Sequence, residues 1–228
     1  MMETQKPVFD ALLTPEAYPE DTGKIDLIQT HISMVFLTTK FVYKVKKAVN
    51  FGFLDFSTLE KRRLFCEKEL ELNRRLCSDI YLEVVPINKS DAIKIEGAGE
   101  TVEYALKMKR LPQEAIMTRL LAENKVDYKT IDELAKIIAR FHSNAETGSE
   151  IDKFGSPKII KINWDENFAQ TEKYINQTIP KAEYHLLEDK VNKFMDLNSA
   201  LFESRIDNGK IRDCHGDLHS GNNRRREP

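Results

Sequence analysis

His215-Gly216-Asp217-Leu218-His219-Ser220-Gly221-Asn222 is the stretch on which the reading of this chain turns. It has the pattern His-Gly-Asp, four intervening residues, Asn, and it follows the turn-forming Asp207-Asn208-Gly209 and a short apolar lead at Ile211. A carboxylate and an amide oxygen a short loop apart suit phosphoryl transfer from ATP. The first accepts or orients a substrate hydroxyl, and the second holds the magnesium that bridges the phosphates. On that reading Asp217 is the base and Asn222 a metal ligand. Two other readings stand beside it. Glycine, aspartate, asparagine and serine also make up an ordinary solvated turn. His215, Asp217 and His219 are alternate residues that an extended segment could converge on one ion, although only His31, His142 and His185 remain elsewhere.

Upstream, residues 32–37 and 41–46 are rich in β-branched and aromatic side chains and flank the short Thr38-Thr39-Lys40, which predicts a hairpin. Ser57-Thr58-Leu59-Glu60 reads as a capping box in which Ser57 accepts from the amide of Glu60, so a helix is expected from about Thr58. Leu59, Leu64, Leu72 and Leu76 give it a roughly helical apolar spacing, and Cys77-Ser78-Asp79 stops it. Strands are expected over 81–87, 92–95 and 102–109. Leu111-Pro112 then leaves the sheet, because proline removes a ladder donor. Beyond it helices are expected over 114–124, from a second capping box at Thr130-Ile131-Asp132-Glu133 with Leu134, Ile137, Ile138 and Phe141 inward, over 163–175 and over 181–202. A strand-rich half therefore precedes a helix-rich half, an α+β arrangement.

A kinase-like site also needs a strand lysine for the α- and β-phosphates, held by a glutamate of the following helix. Val42-Tyr43-Lys44 supplies the lysine, and alternation sets Lys46 on the same face, so Lys44 is the first choice and Lys46 the second. Solvation of a strand edge is the plainer use of such lysines. Glu69 lies three residues before Leu72 and seven before Leu76, near their face, with Glu67 and Glu71 as alternatives on a charge-rich helix.

Lysines and arginines number 35 against 37 acids, a formal net charge of -2, which gives no field for nucleic acid or anionic membrane. Arg224-Arg225-Arg226 is too short a run to change that. Cys66, Cys77 and Cys214 are odd in number and contain no Cys-x-x-Cys pair, as expected of reduced thiols. The opening residues lack a basic-then-apolar leader and no window approaches ~18 uninterrupted apolar residues, so a cytoplasmic protein with no membrane partner is expected. With 228 residues the chain is long enough for two lobes.

Several segments together resemble the aminoglycoside phosphotransferase-like family, and within it a bacterial group often fused to a P-loop kinase-type domain. They are Thr30-His31-Ile32-Ser33, Tyr43-Lys44-Val45-Lys46-Lys47, Gly52 through Glu60, Glu69 through Leu76 with its Leu-Asn-Arg-Arg, and Arg212-Asp213-Cys214-His215-Gly216-Asp217-Leu218-His219. The resemblance implies a protein kinase-like two-lobe fold: an antiparallel-sheet nucleotide-binding lobe over 1–111 and a mostly helical, incomplete lobe over 112–228. It implies ATP and Mg2+ as cofactors, a small-molecule acceptor with a hydroxyl group, and no nucleic acid. Carried over by residue, Asp217 looks like the catalytic aspartate with His215 in the same loop, Asn222 like a magnesium ligand, and Lys44 with Glu69 like the ATP-positioning pair. Tyr104 to Met108, with Lys109 and Arg110, is similar to the hinge whose backbone meets adenine. Thr30 to Ser33 looks like the turn over the phosphates, without the glycines of protein kinases. In the family the catalytic loop is followed by a strand pair and an aspartate that supplies the main magnesium ligand, whereas here only Asn223 to Pro228 follow. The expectation is a C-terminally truncated phosphotransferase, with a non-catalytic remnant or nucleotide-binding module as its alternative.

Overall fold

The β-branched and aromatic runs at 32–46 pair as β2 (Ser33–Leu37) and β3 (Phe41–Lys46), antiparallel, with Val35 opposite Lys44 and Ser33 opposite Lys46. The computed structural model describes residues 3–52 and 54–219. Around the hairpin a six-stranded antiparallel sheet has the order β1-β2-β3-β6-β4-β5, where β1 is Asp26–Gln29, β4 Tyr81–Lys89, β5 Ile93–Ile95 and β6 Glu100–Lys109. β6 crosses back between β3 and β4, so the last strand lies at the centre of the sheet. β1 is a strand that the sequence reading does not mark. Its two half-buried and two exposed residues carry none of the strong apolar alternation of β2 and β3.

One sheet face carries the core of this unit. Met34, Phe36, Tyr43, Val45, Val85, Ile87 and Ala105 are buried there under α1 (Lys6–Ala11) and the turn that follows it, which contribute Val8, Leu12, Ala17 and Tyr18. Fully burying one large apolar side chain stabilises by about 1.5–3 kcal/mol, so this cluster is the main source of stability for the sheet. The opposite face receives α2 (Leu59–Cys77).

Helix α2 starts one residue later in its capping pattern than expected. Thr58 is the N-cap and its hydroxyl accepts from the amide of Lys61. Ser57 is drawn away because its amide and hydroxyl both donate to the Asp55 carboxylate, at 2.9 and 2.6 Å. The helix ends at Cys77, where the sequence places its stop. The inward stripe also differs: Leu59, Arg62, Cys66, Glu69, Asn73 and Leu76 are covered, while Leu64 and Leu72 are exposed. Three of those six covered side chains are polar or charged, so hydropathy alone points to the wrong face.

The chain divides into two compact units, one of which runs to Glu123 and the other over Asn124–His219. A short turn (Gln113–Ala115) and α3 (Met117–Ala122) close the first. The second is helical: α4 (Tyr128–Asn144), α5 (Ser149–Asp152), α6 (Pro157–Thr171), α7 (Lys181–Leu197) and α8 (Ser199–Asp207). Helix α4 begins ahead of the expected capping box, because Asp127 is the N-cap, accepting the Thr130 amide at 2.8 Å and the Thr130 hydroxyl at 2.5 Å. Leu134, Ile138 and Phe141 are half-buried, but Ile137 is exposed. The helix expected over 181–202 is two helices broken at Asn198, and α6 begins at Pro157, with its fixed φ in the first turn. Among the described residues no helix is long and apolar enough to cross a membrane.

Candidate functional site

On the α2 face of the sheet, Lys44 and Lys46 converge on one carboxylate. Lys44 Nζ lies 2.7 Å from Glu69 Oε1, and Lys46 Nζ 2.7 Å from Glu69 Oε2. Strand period two puts both lysines on that face, and the turn of α2 from Arg62 through Cys66 brings Glu69 down onto it. The two ammonium groups are not equivalent. The Lys44 side chain is 28% exposed, whereas that of Lys46 is 6% exposed and its ammonium lies 4.8 Å from the centre of the Phe56 ring. Burial by itself raises the carboxyl pKa of Glu69, but the opposing charges of Lys44 and Lys46 outweigh it and hold it below its ordinary value. Two positive charges against one negative leave a surplus of one. Beside them Ser33, directly opposite Lys46 in the β2–β3 register, buries a hydroxyl oxygen with no hydrogen-bond partner.

The other expected nucleotide-contacting residues of this unit fall as follows. Met108 is half-buried, lies opposite Val42 and shares the parity of Leu106, the residue opposite Lys44, so it belongs to the face of the lysines. Lys109 has the other parity and is exposed; its amide donates to Ile80 O at 2.9 Å, and the Arg110 amide to Lys40 O at 2.9 Å. The turn Thr30-His31-Ile32-Ser33 closes on itself, since Thr30 Oγ1 accepts from the amides of Ile32 and Ser33 at 3.3 and 3.0 Å. Those two amides are therefore engaged already, and Lys47 Nζ donates to Thr30 O at 2.7 Å.

The loop from His215 belongs to the second unit and has its own anchors. Ile211 presses against Gly155 so closely that a Cβ there would sit 2.4 Å from the isoleucine side chain. Arg212 donates to the carbonyls of Ser143 and Ala145 at 3.0 Å each, at the C-terminal end of α4, where carbonyls are open and the helix dipole favours a cation. The Asp213 amide donates to Glu146 O at 3.0 Å. The chain then turns at Gly216, whose φ of +77° suits glycine, and the Asp217 amide donates to His215 Nδ1 at 3.2 Å. Asp217 is exposed. Asn222 lies outside the described residues. Among the described residues no three His, Cys, Asp or Glu side chains gather as a metal group, so His215, Asp217 and His219 do not converge in the way the metal reading requires.

A buried network behind the lysines escapes sequence reasoning. The β3–β6 register ends at the pair Val45–Ala105. Past it stands Glu103, fully buried, accepting from Gln5 Nε2 at 2.6 Å and from Arg62 Nε at 2.9 Å. Gln5 also donates to Lys46 O at 3.0 Å and accepts from the Ala48 amide at 2.8 Å. Arg62 in the first turns of α2 is thereby tied to the sheet next to the strand that carries Lys46. The available signal was a glutamate at the inward parity of β6, shared with Ala105. Cys66 sits in the same layer, fully buried, and burial pushes its thiol up to about 12, so it is a packing group and not a reactive one.

Three mycobacterial proteins are similar to this chain, one from Mycobacterium bovis and two from strains of Mycobacterium tuberculosis, each named as an uncharacterized protein. Each is 29% identical over 206 residues, which cover 90% of this chain and 40% of the relative. The chain thus spans about two-fifths of the length of the curated relatives it matches. No family model matches the chain. No solved structure matches it.

Proposed function

We propose that the chain is a nucleotide-binding part of an ATP-dependent small-molecule phosphotransferase of the aminoglycoside phosphotransferase-like, protein kinase-like kind. The observation that carries the reading is the pairing of one half-buried glutamate with two strand lysines. A surplus positive charge and an orphaned buried hydroxyl on the same face suit the phosphates of a nucleotide. Lys44, the more exposed lysine, meets the phosphates; Lys46, buried against Phe56, keeps Glu69 in place. Asp217 takes the proton of the acceptor hydroxyl as its oxygen attacks the γ-phosphorus. The bond to the β–γ bridging oxygen breaks, and ADP leaves with the electron pair. His215 shapes the loop by accepting the Asp217 amide. Asn222 would hold magnesium, which when bound would supply positive charge to offset the charge of the phosphates.

A second reading, a nucleotide-binding module without transfer, is favoured by one contrast. The lysines and Glu69 sit on a sheet with a filled core, whereas α4, α6 and α8 bury no residue fully. One experiment separates the two. Mg-ATP is titrated while thermal unfolding and transfer of labelled γ-phosphate to a panel of hydroxyl acceptors are followed. A nucleotide at about a hundred times its Kd stabilises by about 2.7 kcal/mol. Stabilisation lost in Lys44→Met, with transfer lost in Asp217→Asn, supports the phosphotransferase. Stabilisation without transfer supports the module, and no stabilisation at all rules out both.

A further inference from the structure

Lys46 is held twice, once by its main chain and once by its side chain, and both holds lead to helix α2. Its ammonium donates to Glu69 Oε2 at 2.7 Å. Its carbonyl accepts from Gln5 Nε2 at 3.0 Å, the same amide group donates to Glu103 Oε2 at 2.6 Å, and Arg62 Nε lies 2.9 Å from each oxygen of the Glu103 carboxylate. Arg62 and Glu69 stand seven residues apart on α2, so they share one face with about 10 Å of helix between them. The bonds therefore close into a ring that leaves Lys46 by its carbonyl and returns to it at its ammonium. Arg62 also donates from Nη1 to Phe56 O at 3.1 Å and Ser57 O at 3.3 Å, and the Phe56 ring lies 4.8 Å from that same ammonium. The links are dry: Glu103 is fully buried, Gln5 is 3% and Arg62 7% exposed.

A buried ion pair adds little net stability, because removing two charges from water offsets their attraction, and apolar residues of similar volume often serve as well or better. What apolar residues do not supply is direction. Two of them slide and turn against each other within the limits of packing, whereas a guanidinium is a rigid planar fork whose bonds hold only at one distance and one angle. We propose that Arg62 and Glu103 are positioning residues for the Lys44–Lys46–Glu69 cluster, setting the height and rotation of α2 over the sheet so that each Glu69 oxygen meets one ammonium group. Neither residue belongs to that cluster, and both act through Lys46 and Glu69. The consequence for nucleotide affinity rests on the phosphotransferase reading; the consequence for Glu69 stands without it.

The test removes the fork while keeping the fold. The double variant Arg62→Met/Glu103→Leu deletes one charge of each sign and fills the space with apolar groups, so its urea unfolding midpoint is expected to stay near that of the wild type. Arg62→Lys keeps the charge beside Glu103 without the fork, and covers the case in which the double variant does not fold. Two quantities are read on the full chain: the titration of the Glu69 carboxyl by carbon-13 NMR, assigned with Glu69→Gln, and the Kd of Mg-ATP well below the unfolding temperature. Burial raises the Glu69 carboxyl and the two ammonium groups hold it below its ordinary value, so a loosened contact shows as a rise. The expected result is that rise in both variants, with Mg-ATP bound about tenfold more weakly where stability is kept. A folded variant in which Glu69 titrates as in the wild type overturns the proposal, because a pair that serves stability alone leaves the lysine contacts in place. So does an affinity for Mg-ATP that both variants retain. A wild type that binds no Mg-ATP overturns the nucleotide reading alone, and the Glu69 titration then decides this proposal by itself.

Discussion

Glu69 is a single carboxylate between two ammonium groups, so its removal leaves a repelling pair of cations on a partly dry surface. Glu69→Gln is expected to lower stability by about 3–5 kcal/mol at neutral pH, as for breaking a buried ion pair on one side, measured by urea unfolding. The pH dependence has a definite sign. The folded carboxyl lies below its ordinary value of about 4.3, so its contribution is fully present above that pH and is lost as pH falls through the lower folded value. The difference between wild type and Glu69→Gln should stay constant from pH 8 to about 5 and narrow only as pH falls well below the ordinary carboxyl value. The two lysines should separate by readout. Lys44→Met is expected to weaken Mg-ATP binding with little loss of stability, and Lys46→Met to lower the melting temperature first, because only Lys46 is buried and stacked on Phe56. Equal effects of both on both measurements would show that exposure does not divide their roles.

Among the elements, the helix starts repay a test because the same competition decides two of them. At Ser57 and at Thr130 the hydroxyl that resembles an N-cap is bonded instead to an upstream aspartate, Asp55 or Asp127. Asp127→Ala is therefore expected to cost about 0.5–2 kcal/mol, and Glu133→Ala, which removes a carboxylate with no capping role, less than about 0.5 kcal/mol, both by chemical denaturation. At the other end of the same unit, Gly155→Ala forces a methyl into Ile211 and should displace the lead into the loop of Asp217. The amide and side-chain signals of residues 211–217 in an NMR spectrum would report it. These elements also show what sequence can carry. The hairpin at 32–46 was legible because strand period is fixed by backbone geometry, and Lys44 with Glu69 because a kinase-like order asks for a strand lysine and a glutamate of the following helix. The inward stripe of α2 was not, because Arg62, Glu69 and Asn73 face the sheet while Leu64 and Leu72 face water. A polar stripe is satisfied only by partners such as Glu103 that lie far away in the chain.

For the whole molecule, the two units differ in how they are filled. The sheet unit buries a continuous cluster from Val8 to Ala105, whereas the fully buried residues described in the second unit are few: Ala145, Gly155, Tyr184 and Met195. Native-state hydrogen exchange should therefore protect β2, β3 and β6 far longer than α4, α6 and α8, since opening energies follow buried apolar contact. Uniform protection across both units would contradict this. Composition could not foretell the contrast, because Leu, Ile and Phe are distributed through both halves and only the packed structure shows which are covered. The network around Glu103 has a practical side as well. Gln5, just ahead of α1, ties that helix's start to strand β3 and, by way of Glu103 and Arg62, to helix α2. A change of backbone or side chain at Gln5 is thus a lever on Lys46, 41 residues away in sequence, and through it on the lysine–glutamate pair.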